Sequence, residues 1–199
     1  MTRRNVSAAL ALALAVTLVV AGCGGSRNLV VSFDPASACT TDGRQPGAYP
    51  DLEALLPTVY DGKAPSGVDS GRSCTANALG TLASHGIAGV RFAGATWSLG
   101  ASSGLTVAIF EGTGLDATAM LEFYETPARS ASHTDTYTDS DVTVGGRPAK
   151  RLDVLNTDGT GQTIVTWPSL TLGRVHVLLA SDLGDAKVAA ALVTFGAQP

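Results

Sequence analysis

The chain has 199 residues and a formal net charge of −4, with 17 acidic side chains against 13 Lys and Arg. An acidic balance with dispersed cations excludes a nucleic-acid binder, because phosphate recognition needs clustered positive charge. At 45% apolar residues the chain can bury a real core, and it is long enough for one domain.

The first 23 residues stand apart. Arg3 and Arg4 give a basic start, Val6 to Val20 form an almost unbroken apolar run, and small residues close it. About 15 apolar residues are too few for a bilayer core, which needs ~20, so the run reads as a secretory signal with a cleavage site. The closing residues Val20-Ala21-Gly22-Cys23 resemble the lipobox of bacterial lipoproteins. That resemblance implies cleavage before Cys23, a diacylglycerol on its thiol, and a mature N-terminus at Cys23. Residues 1–22 are then the signal peptide, 23–37 a lipidated tether, and 38–199 the folded domain. The anchored chain would sit on the extracytoplasmic face of the cell membrane, in contact with lipid through its acyl chains. Loss of Arg3 and Arg4 would take the net charge from −4 to −6.

With Cys23 acylated, Cys39 and Cys74 remain as an even pair in an oxidising compartment, where bridges persist. We expect them to be joined. The competing reading is two free thiols or a redox pair, which would more often be spaced Cys-x-x-Cys. The stretch between them is rich in Gly, Pro and Asp, has little apolar periodicity, and needs a covalent tie.

Further along, Asp51–Pro57 predicts a short helix, capped by Asp51 and stopped by Pro57. This run also resembles the opening of some uncharacterised lipoproteins of high-GC bacteria. Thr75–His85 predicts a helix ended by Gly86, with Ala78, Leu79, Leu82 and Ala83 on one face. Ile87–Trp97 and Leu105–Glu111 read as strands. Asp116–Ala128 is a second main helix, with Pro127 ending it. Thr136–Val144 and Arg147–Leu155 pair across Gly145-Gly146, a two-residue hairpin signal. Gly161–Trp167 and Leu172–Ala180 make another hairpin. Asp185–Phe195 is the last helix, with Val188, Ala189, Leu192 and Val193 facing inward. The fold class is α+β: a mostly antiparallel sheet of about six strands with three main helices packed against it. The order resembles small lipoprotein domains of the PsbP/Mog1-like α/β/α type. Thr96-Trp97 and Thr166-Trp167 open similar strand, strand, helix units, a weak internal echo.

Few residues suggest chemistry. Gly100-Ala101-Ser102-Ser103-Gly104 fits G-x-S-x-G, but that elbow must enter a helix. Here Leu105–Phe110 alternates and is β-branched, so a hairpin loop is expected. His85, His133 and His176 lie too far apart for a recognisable metal set. Asp135–Asp141 is rich in oxygen ligands without calcium-loop spacing. We therefore expect no metal and no cofactor. Arg151, Arg174 and His176 lie on predicted strands, His176 on the face shared with Arg174. If the two arginines share a face of the sheet, they could receive a carboxylate or an anionic wall polymer, with Trp97 and Trp167 lining a groove. The reading favoured here is a noncatalytic lipoprotein that binds an envelope protein, a wall component or a small ligand. The alternative is an envelope hydrolase with an unrecognised site.

Overall fold

The computed structural model describes residues 33–197. The apolar run, the Val20–Cys23 motif and the start of the tether lie outside them. Among the described residues, eight strands form one antiparallel sheet. In chain order they are β1 (Gly43–Gln45), β2 (Gly67–Ser73), β3 (Val90–Ser98), β4 (Gly104–Glu111), β5 (Thr134–Val144), β6 (Arg147–Asn156), β7 (Gly161–Pro168) and β8 (Arg174–Ser181). The spatial order is β1-β2-β3-β4-β8-β7-β6-β5. Two four-stranded meanders therefore meet along a β4–β8 seam. The helices are α1 (Pro50–Glu53), α2 (Ala76–Leu79), α3 (Thr81–Ser84), α4 (Ala117–Ser130) and α5 (Asp185–Phe195).

Helices cover both faces. Directly opposed residues on neighbouring strands share a face, which sorts the core into two clusters. One holds Trp97, Leu105, Val107, Ile109, Val165, Trp167 and Leu178 beneath Leu52 and Leu56 after the first turn, and Val188, Ala191 and Phe195 of α5. The other holds Leu152, Val154, Ile164, Val175 and Val177 against Leu79, Leu82, Ala119, Met120 and Leu121. With both faces of its sheet partner strands covered, β8 is buried on each side.

The sheet has eight strands rather than about six, and five helices rather than three main ones. The missed strands, β1 and β2, lack an apolar stripe because the buried positions of β2 are polar. Ser70 accepts from the Tyr49 N–H at 2.8 Å and donates to Glu53 Oε1 at 2.8 Å. Buried Arg72 donates to the Ser37 carbonyl at 2.6 Å, Ser37 Oγ at 2.9 Å and the Thr41 carbonyl at 3.0 Å, and lies over the Phe33 ring. Hydrogen bonds take the place of the hydrophobic pattern, so periodicity could not reveal the strand. These contacts also show residues 33–41 packed against β2.

The 75–85 segment is two short helices, not one. Thr75 caps α2, and Gly80 at φ +51° breaks the path before α3, a conformation that glycine alone adopts without strain. Leu79 and Leu82 are buried as expected, while Ala83 is exposed. Asp51 does not cap α1: the N-cap is Tyr49 and Pro50 takes the first turn. Pro127 lies inside α4, which runs on to Ser130. It falls in the last turns, beyond the buried Ala119–Leu121 that hold the helix down. The inward line of α5 is Val188, Ala191, Leu192 and Phe195, whereas Ala189 and Val193 are exposed. Apolar residues surround that helix, so its pattern is ambiguous. The largest of them, Phe195, decides the rotation by stacking on Trp97 at 5.9 Å and tilting against Tyr60 at 5.3 Å.

Candidate functional site

Arg151, Arg174 and His176 occupy the same face of the sheet, the one beneath α5. Register shows this: Arg151 opposes Val165, which opposes Leu178, and Arg174, His176 and Leu178 alternate along β8. They do not form one site. Arg151 lies two strands over and four residues along from Arg174, roughly 16 Å between backbones at ordinary strand spacings.

Arg174 ends a transverse row of charge. Arg72, Arg91, Glu111 and Arg174 stand in register on β2, β3, β4 and β8. Glu111 is held by both neighbours: Arg91 pairs with it, and Arg174 Nε donates at 3.0 Å. Arg91 also reaches Asp51 at 3.3 Å and lies over the Tyr49 ring. Partial burial would push the Glu111 carboxyl up, but hydrogen bonds from Arg91 and Arg174 hold it below its ordinary value. The row ties β3, β4, β8 and α1 together at one end of the sheet.

Arg151 serves a second tie. Its guanidinium donates to both oxygens of Asp153, at 2.7 and 2.9 Å, and to Asp185 Oδ1 at 2.6 Å. These bonds, Asp153 first, raise its pKa against the opposing effect of burial. Thr163 donates to Asp153 at 2.6 Å, completing a fork that pins the start of α5 to the sheet. Both arginines thus face carboxylates of this chain. His176 is fully buried in the sheet, its ring stacked on Trp167 at 5.4 Å and 8°. Trp97 and Trp167 are core residues rather than groove walls.

The alternation Arg151-Leu152-Asp153 could have revealed its pair, since residues two apart share a strand face. Glu111, Asp51 and Asp185 lie too far along the chain for spacing to give them away. Asp42 was also silent. It accepts from the Cys74 and Thr75 N–H groups at 2.6 and 3.0 Å and from Thr75 Oγ1 at 2.6 Å. Burial works against its ionisation, but these bonds keep its carboxyl below the ordinary range.

The remaining candidates have local roles. Gly100–Ser103 is a hairpin connection between β3 and β4, with Ser102 exposed and Ser103 Oγ donating to the Asp182 carbonyl at 3.0 Å. His85 contacts Glu122 at 2.7 Å between α3 and α4. His133 is exposed in the α4–β5 connection. Asp135–Asp141 lies in β5, with Asp141 accepting from Lys150 at 2.6 Å. Among the described residues no group of three or more His, Cys, Asp or Glu side chains is placed to hold a metal ion. The sulfurs of Cys39 and Cys74 lie at disulfide distance, with their Cα atoms 5.3 Å apart. A shallow hollow of about 650 Å³ lies between the start of α4 and the β5–β6 hairpin, lined by Asp116, Thr118, Asp141, Val142, Ala149 and Lys150.

No protein-family model matches the chain, and no characterised protein matches it in sequence. Among solved structures, it is similar to a protein of unknown function from Pseudomonas aeruginosa. Identity is 12% and the TM-score 0.36, over 51% of this chain and 80% of that one. At that level the likeness carries no weight for fold or function.

Proposed function

We propose that this chain is a lipid-anchored protein on the extracytoplasmic face of a bacterial membrane, and that its folded domain works by binding rather than catalysis. The observation that carries the reading is Cys23, placed directly after the apolar run and Val20-Ala21-Gly22. The cysteine geometry supports it. Cys39 and Cys74 are within bonding distance of each other, which leaves Cys23 as the thiol available for acylation. Two acyl chains meet the requirement that stable anchoring needs more than one. No helix among the described residues is long and apolar enough to cross a membrane, so the proposed hold on the bilayer is the acyl group.

The noncatalytic part of the reading is supported by the placement of the reactive residue types. The serine of the G-x-S-x-G match sits on a hairpin rather than before a helix, and the strand arginines brace the fold. Candidate ligands are an envelope protein, a wall component or a small molecule. Mass spectrometry of the mature chain from a bacterial host tests the anchor. The expected product begins at Cys23 and carries a diacylglycerol, and Cys23→Ser leaves the chain unprocessed. An intact Met1, or an unmodified Cys23 in the mature chain, would overturn the proposal.

A further inference from the structure

Among the described residues several large apolar side chains are exposed, Val193 on α5 at 81% among them, but two of the most exposed sit together on one turn. The turn between β7 and β8, residues 169–173, carries Leu170 at 80% and Leu172 at 100% exposure. This turn has a fixed shape. The Ser169 N–H donates to the Arg174 carbonyl at 2.9 Å, and the Arg174 N–H to the Thr171 carbonyl at 3.2 Å. The Thr171 N–H donates to Ser169 Oγ at 3.3 Å. The Gly112 N–H donates to the Gly173 carbonyl at 2.9 Å, fastening the turn to the end of β4. Both leucines are therefore held outward by a built turn. No ionisable side chain lies between Pro168 and Arg174, and Arg174 is drawn back onto Glu111.

The tip lies at the end of the sheet from which the N-terminal segment departs. Gly173 contacts Gly112; a methyl on Gly112 would meet the Gly89 carbonyl oxygen at 2.8 Å, and one on Gly89 would meet Cys39 Sγ at 2.8 Å. Phe33, the first described residue, packs on Gly43 and under Arg72, in the transverse row one step inward. Phe33 lies ten positions after Cys23, a reach of at most about 35 Å. An acyl group on Cys23 would thus keep Phe33, and with it this end of the sheet, within that reach of the bilayer.

We propose that the Leu170–Leu172 tip enters the acyl–headgroup boundary of the membrane as a second, uncharged contact beside the lipid. The proposal rests on the anchored reading given above. A bilayer fits this tip better than a protein surface. A stable protein interface needs about 1,000 Å² or more of total buried area, far beyond two leucines on a narrow turn, whereas fluid acyl chains need no matching shape. The lack of charge makes the contact indifferent to anionic lipid.

The test uses the full lipidated chain in neutral phosphatidylcholine vesicles with brominated acyl chains, which quench nearby tryptophan. Trp97 and Trp167 are buried and serve as the background. A Leu172→Trp variant reports the tip, and Val59→Trp, beside the Tyr60–Trp97 contact toward the other end of β3, is the control. The new emission at position 172 is expected to fall by about half or more, since interfacial insertion reaches ~5–10 Å into the boundary. The Val59→Trp emission stays unchanged, and replacing a third of the lipid by phosphatidylglycerol alters neither. If the chain floats with the vesicles but Leu172→Trp is not quenched, or is quenched no more than Val59→Trp, the tip proposal falls and the anchor stands. If the chain does not float, the anchor reading falls and takes the tip with it. A blue shift of Leu172→Trp with protein concentration in lipid-free detergent would assign the tip to a second copy and overturn the proposal.

Discussion

Removing the Cys39–Cys74 tie by the double substitution Cys39→Ala, Cys74→Ala should open a closure spanning 35 residues of sequence separation. In the chain-entropy treatment such a loop contributes about 4 kcal/mol at 25 °C. The enclosed segment holds β1, α1 and β2; β2 is buried through Ser70 and Arg72 hydrogen bonds, while Leu52 and Leu56 carry the segment's apolar contact with the core. Such bonds contribute about 1 kcal/mol each; they and the apolar contacts persist in the variant, so the expected loss is that of the covalent restraint itself. For a domain of this size, about 4 kcal/mol lowers Tm by roughly 8–16 °C. Urea denaturation followed by tryptophan fluorescence reads the change, and reductant should reproduce it in the parent chain. A loss below about 1 kcal/mol, or a parent chain unmoved by reductant, would refute the entropic account.

Phe195→Ala empties the contact between α5, Trp97 and Tyr60 and should cost about 3–5 kcal/mol in urea denaturation. Acid should weaken the fold through Glu111 and Asp42. Both are held below their ordinary values of 4.5 and 3.8, so their contribution is complete at neutral pH and drains away as pH falls from about those values through the lower folded ones. Thermal melts from pH 7 to about 2.5 should show Tm flat above roughly pH 5 and falling below it. Glu111→Gln should flatten part of that fall and cost about 1–3 kcal/mol at pH 7, because Arg91 and Arg174 lose their shared carboxylate.

The alternating and helical stretches of this chain were legible where burial and hydrophobicity coincide. β3 to β8, α4 and α5 came from periodicity and from signals such as Gly145-Gly146, at φ +57° and +77°, which turn the β5–β6 hairpin. β2 was hidden because its inward residues are Ser70 and Arg72, buried through partners that no local pattern announces. The inward face of α5 keeps Val188 and Leu192 but takes Ala191 and Phe195 in place of Ala189 and Val193, because Ala189–Val193 is apolar all round and only the distant Trp97 and Tyr60 select Phe195. The same limit applies to the arginines. A strand position for Arg174 could be read from alternation, but its carboxylate Glu111 lies 63 residues away and is supplied by the β4–β8 seam.

That seam does more than join two meanders. Helix α4 ends the first meander, yet it lies chiefly on β6 and β7 of the second. Helix α5 ends the second, and its Phe195 closes over Trp97 of the first. Each half thus lends a helix to the other, while α4 keeps its contact with α3 and α5 its tie to Arg151 of β6. Severing the connection near Ser132 would part α4 from the β6 and β7 strands it chiefly lies on, and Phe195 from Trp97. Each fragment would lose part of its cover, while mixing them would restore it, so the two meanders should unfold together.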